Sequence, residues 1–63
     1  MTTQESKEIF KQGVKVKDRF KQNNDEGEVI LVLKTRIRVQ FKHDSYDTTY
    51  DWAHVRICLT KIQ

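Results

Sequence analysis

The residues with chemical reach in this chain are basic and spaced by two. Arg36, Arg38 and Lys42 stand at alternate positions, with Lys34 on the same parity and Gln40 between them. On an extended strand, alternate side chains share one face about 6–7 Å apart. Cations at that interval can meet successive phosphates of a nucleic acid, and Gln40 can hydrogen-bond a base edge or a sugar. The plain alternative is a solvated strand face. Lys15, Lys17, Arg19 and Lys21 also alternate, but Asp18 dilutes them.

Aromatic and acidic residues follow the basic run. Tyr46, Tyr50 and Trp52 lie in or beside the next loop, among Asp44, Asp47 and Asp51. Bases stack on exposed rings, at about 1–3 kcal/mol each by alanine substitution. A cation can also sit over such rings. Tyr46, between Ser45 and Asp47, is expected to be exposed. Tyr50 and Trp52 read more simply as rings that plug one end of the fold. Asp44, Tyr46, Asp47, Tyr50 and Trp52 therefore form a second candidate face, suited to Arg or Lys on a protein partner. Acids there repel phosphates, so a nucleic-acid surface has to lie along the basic strand, away from the acidic loops. A second acidic group, Asp25, Glu26 and Glu28, is expected in an earlier loop.

Other chemistry has little to stand on. His43 and His54 are eleven residues apart, with no Cys or carboxylate at ligand spacing, so no metal site is expected. Cys58 is the only cysteine, which excludes an internal disulfide, and no residue stands at a spacing that would activate it. No catalytic residue, no cofactor and no small-molecule substrate are expected.

Size and composition agree with a binding role. The chain has 63 residues, and 12 Lys and Arg outweigh 9 Asp and Glu to give a net charge of +3. A single domain of this length buries only about 60% of the surface its unfolded chain exposes. That leaves no room for a cofactor-sized cleft beside a full core. No apolar run approaches the roughly 20 residues of a membrane span. The opening residues, from Met1 to Glu5, are polar and show no secretory pattern, so a cytoplasmic location is expected.

The elements that must position these residues follow from periodicity. Thr2 and Glu5 have the spacing of a capping box, and Gly13 stands where a helix would stop. Residues 1–13 thus read as an N-terminal arm or short helix, and 14–63 as a barrel domain. Residues 14–20 alternate as a strand, and 21–28 form a loop in which Gly27 is expected at a bulge or a positive φ. Residues 29–33 are apolar on both faces, as in a central strand. Residues 36–42 alternate strictly. A polar turn at 43–47, a short strand at 48–52, one helical turn at 53–55 and a last strand at 56–62 complete the chain. Five short strands at even spacing point to an all-β, partly open small barrel. The expected inward set is Val16, Phe20, Val29, Leu31, Leu33, Ile37, Val39, Phe41, Val55, Ile57 and Leu59.

Four stretches carry a family resemblance. Val16-Lys17-Asp18-Arg19-Phe20 is similar to an entry turn written V-G-D-x-V, with Lys17 in place of the usual Gly. Gly27-Glu28-Val29-Ile30 is similar to the opening of a second strand. Arg36-Ile37-Arg38-Val39-Gln40-Phe41 is similar to a third, and Tyr50-Asp51-Trp52-Ala53-His54-Val55 to a fourth strand entering a 3₁₀ turn. Together, over about residues 14–62, they resemble the SH3-like small barrel in its Tudor and KOW branch. That resemblance implies a binding module for nucleic acid, for peptides, or for methylated Lys or Arg, or an accessory subunit. A methyl-lysine cage is not expected, because Gly27 and Glu28 stand where an aromatic residue would be needed. Two readings therefore stand side by side: nucleic acid on Lys34, Arg36, Arg38, Gln40, Lys42 and Tyr46, and a protein partner on the aromatic and acidic loop face.

Overall fold

A computed structural model of the chain describes residues 2–21 and 25–62. Helix α1 spans Thr3–Ile9, and strands β1 and β2 span Lys15–Asp18 and Glu26–Val32. Strands β3 and β4 span Arg36–Phe41 and Thr48–Asp51, helix α2 spans Trp52–Cys58, and β5 spans Leu59–Lys61. The five strands form one antiparallel sheet in the order β4-β3-β2-β1-β5, curled into a half-barrel. The all-β class expected from the alternating segments is the class the chain forms.

The capping box forms as its spacing predicts. The Thr2 hydroxyl accepts from the Glu5 amide at 3.2 Å, and the Glu5 carboxylate accepts from the Thr2 amide at 3.3 Å. The helix stops earlier than Gly13, at Ile9 with Phe10 as its cap; Gly13, at φ +92°, instead takes the left-handed position of a turn closed by the Val14 amide on the Lys11 carbonyl at 3.1 Å. Phe10 follows the helix and is buried in the core, so an aromatic anchor ties down α1, which lies against α2.

Strand β2 begins earlier than its apolar run. Glu26 and Gly27 belong to it, because the backbone of Val16 and Lys17 pairs with them in register. Gly27 is neither a bulge nor a positive-φ residue. A Cβ at that position would stand 2.7 Å from Val39 Cγ1 and 2.9 Å from Phe41, so glycine is needed for close approach to β3. The bulge lies further on, between Val29 and Leu31. The part of the expected 21–28 loop made of Gln22, Asn23 and Asn24 lies outside the described residues.

That bulge reassigns the core. Val29 pairs with Val39 and is buried, but Leu31 then pairs with Arg38 on the outer face. Leu31 is therefore exposed, against the expectation that it points inward, and Leu33 is only half-buried. Phe20 is also exposed, at 65%, because β1 ends at Asp18 and the Asp18 carboxylate turns the chain by accepting the Phe20 amide at 2.8 Å. Ile57 is exposed because residues 56–58 continue α2 instead of opening a strand. Asp51 caps this helix, its carboxylate accepting the His54 amide at 2.8 Å. The expected single turn is thus a seven-residue helix, and β5 shrinks to three residues. Phe10, Tyr50 and Trp52 take the vacated core positions beside Val16, Val29, Ile37, Val39, Phe41, Val55 and Leu59.

Candidate nucleic-acid interface

Strand β3 exposes Arg36 and Arg38, half-buries Gln40 and hides Ile37, Val39 and Phe41, so its alternation holds along its length. Lys34 stands exposed in the turn before it, and Lys42 just after it. Among the described residues, the side chains of Lys34, Arg36 and Lys42 have no ion-pair or hydrogen-bond partner. Arg38 is paired: its guanidinium lies 3.7 Å from the Asp47 carboxylate. Both side chains remain substantially exposed, so the pair is weak and screened by salt.

Gln40 is committed elsewhere. Its amide nitrogen donates to the carbonyls of Asp44 at 2.7 Å and Phe41 at 3.0 Å, which tightens the β3–β4 turn. Only its carbonyl oxygen is left for a ligand. The basic column is therefore strongest at its Lys34–Arg36–Arg38 end.

The neighbouring strand changes the charge picture. The acids at 26 and 28 are not confined to a loop; they stand on β2, between the basic columns of β1 and β3. Glu28 pairs in register with Lys15 and Gln40, and Glu26 with Lys17. Lys15 and Glu28 form an ion pair across the two strands. Beside it, Glu26, Ile30, Gln40 and Lys42 line an open depression of about 550 Å³. Lys42 thus shares its surroundings with a carboxylate, whereas Lys34 stands at the end of the sheet that holds no β2 acid.

The β3–β4 turn gathers the other candidates only in part. Tyr46 is 84% exposed at its tip. Asp44 is held by Lys21 at 2.9 Å and Asp47 by Arg38. Tyr50 and Trp52 are core residues, 8% and 5% exposed, and present no ring face to a partner. Tyr50 meets Phe41 edge to face at 6.4 Å. Trp52 donates its indole N–H to the Lys34 carbonyl at 3.1 Å. Tyr46 and Lys34 sit beyond opposite ends of β3, about 17 Å apart along the strand alone.

Two features had no signal in the spacing. Asp25 is buried and accepts both the His43 amide, at 3.1 Å, and its ring Nδ1, at 2.8 Å, so it ties the end of the β1–β2 connection to the β3–β4 turn. Lys7 of α1 places its ammonium 5.7 Å from the Trp52 ring centre. The thiol of Cys58 is pushed above its ordinary pKa by burial and by the Asp18 charge, the opposite of an activated thiolate. Among the described residues, no three His, Cys, Asp or Glu side chains gather to hold a metal ion. No helix among them is long and apolar enough to cross a membrane.

Comparison with known proteins finds no matching family model, no matching curated protein and no matching solved structure.

Proposed function

We propose that the chain is a non-catalytic binding module of the SH3-like type, in its Tudor and KOW branch, that holds nucleic acid on the outer face of β3. Lys34, Arg36 and Arg38 contact phosphates, and Tyr46 offers a stacking ring at the far end of the strand. A cytoplasmic location belongs to the same reading. The observation that carries it is the exposed, unpartnered state of Lys34 and Arg36 among the described residues, on a strand whose two-residue repeat matches phosphate spacing. Gln40 contributes less than its position suggested, because its donors are taken.

The test is a titration of the labelled protein with single- and double-stranded oligonucleotides at low salt, followed by NMR. Shifts at residues 34–38 that weaken as salt rises support the reading. Unmoved resonances along β3 overturn it.

A second reading has one observation in its favour. Phe20 and Tyr46 are both highly exposed rings, on two loops joined by the Lys21–Asp44 ion pair. A protein partner would meet this end through Tyr46, Asp44 and Asp47, without Tyr50 and Trp52. Replacing Tyr46 with Ala should then abolish partner capture while leaving oligonucleotide shifts at residues 34–36 in place.

A further inference from the structure

Lys7 belongs to neither basic alternation of the sheet. It is the cation of the last turn of α1, and no carboxylate pairs with it among the described residues. Its ammonium lies over the Trp52 ring, 5.7 Å from the centre. The same indole donates its N–H to the Lys34 carbonyl at 3.1 Å. One buried ring therefore mounts a helix cation on its face and the backbone of a turn cation at its edge. Arg36 follows two residues later on β3. Residues from α1 and the β2–β3 turn thus meet at one corner of the fold, around the Trp52 indole, Lys7 through its ammonium and Lys34 through its backbone carbonyl. Glu28 pairs in register with Gln40, and Glu26 accepts the Lys42 amide on its carbonyl, both nearer the other end of β3; Asp51 of β4 stands opposite Arg36, with its carboxylate held by the amide and ring of His54.

The mount also matters energetically. A lysine resting on an aromatic face has given up part of its rotamer freedom before any ligand arrives, so less is lost on binding. Trp52 is 5% exposed and has its N–H occupied, so this corner offers charge and no ring on which a base can stack. Contacts of that kind read phosphates and not bases.

We propose that α1 is part of the nucleic-acid interface: a phosphodiester backbone held by Lys34 and Arg36 continues across the Trp52 corner to Lys7, without regard to base sequence. The proposal rests on the nucleic-acid reading of the β3 face.

Fluorescence anisotropy with two labelled oligonucleotides of unrelated sequence, between about 50 and 200 mM salt, tests it. The proteins compared are the wild type, Lys7→Gln, Lys7→Arg and the remote control Lys61→Gln. The expected result is similar affinity for both sequences. The slope of log affinity against log salt should also become shallower in Lys7→Gln by about 0.7 for a single strand or 0.9 for a duplex. Lys7→Arg should keep the wild-type slope, and so should Lys61→Gln. If Lys7→Gln loses its helical circular dichroism, Lys7→Met, which keeps the aliphatic stem on the indole, takes its place. A wild-type protein that binds while the Lys7 variant shows the same slope overturns the role of α1 and leaves the β3 reading intact. A folded wild type that binds neither oligonucleotide overturns both, as does binding to anionic vesicles alone.

Discussion

The Tyr50 hydroxyl donates to the Asp18 carboxylate at 2.7 Å. Tyr50 is on β4 and Asp18 on β1, and β3 and β2 lie between them in the sheet. The bond therefore crosses the mouth of the curled sheet and joins an edge strand to a strand three positions away. Asp18 also accepts the Phe20 amide, so one carboxylate closes the half-barrel and turns the chain out of β1. In the sequence Asp18 only interrupts the alternation of residues 14–20; in the fold it is a structural acceptor.

Burial and the Asp18 charge raise the Tyr50 phenol well above its ordinary value. The sign follows directly. A phenol whose pKa is raised by folding stabilises the native state fully below the unfolded value, near 10, and that contribution is lost as the pH rises past it. In Tyr46→Phe, where Tyr50 is the only tyrosine, phenolate absorbance should appear together with the loss of circular dichroism in alkali. Phenolate at about pH 10 in a folded protein would contradict this. Tyr50→Phe should destabilise by about 1.5–3 kcal/mol in urea unfolding, the usual worth of a hydrogen bond to a charged group.

Asp25 and His43 control the acid side. Burial raises the Asp25 carboxyl, but the backbone and ring hydrogen bonds and the charge of His43 outweigh it, so the net pKa lies below the ordinary value. A lowered carboxylate stabilises the fold above its unfolded pKa, near 3.9, and that stability is lost as the pH falls through the native value. His43→Ala leaves burial opposed only by the weaker pull of Lys21. Its acid unfolding midpoint, followed by Trp52 fluorescence, should move to higher pH than that of the wild type. An unchanged midpoint would show that the two bonds are not a clamp.

Asp47 restrains Arg38 and little else. Removing its charge frees the guanidinium for phosphate without touching the core. Asp47→Asn should therefore bind oligonucleotides more tightly than the wild type, with a steeper salt dependence. Its thermal stability should change by no more than about 1 kcal/mol, since the pair is exposed. Weaker binding by this variant would count against Arg38 as a contact.

Much of the fold was legible in local patterns. Thr2 and Glu5 announced the start of α1, and the alternation from Arg36 to Phe41 gave β3 its inner and outer faces. Two misreadings are of one kind. Leu31 and Ile57 fit a period of two, and nothing in their own neighbourhood marks the bulge after Val29 or the extension of α2. A bulge is decided by how two strands meet, and one extra residue flips every side chain after it. The candidate site shows the same division. Lys34, Arg36 and Arg38 were readable as a column, but the loss of Gln40 to two carbonyls depends on the path of the turn.

Sequence alone determined the class of the fold, the start of α1, the inner face of β3 and the exposed basic residues along it. Those properties rest on side-chain periodicity and on capping, which act over a few residues. Tertiary structure decided which acids neutralise which bases, that Phe10 joins the core while Leu31 and Ile57 leave it, and that Lys7 and Lys34 share one indole. These are contacts between residues far apart in the chain. Their partners are set by strand register and the curl of the sheet, to which no short stretch of sequence has access.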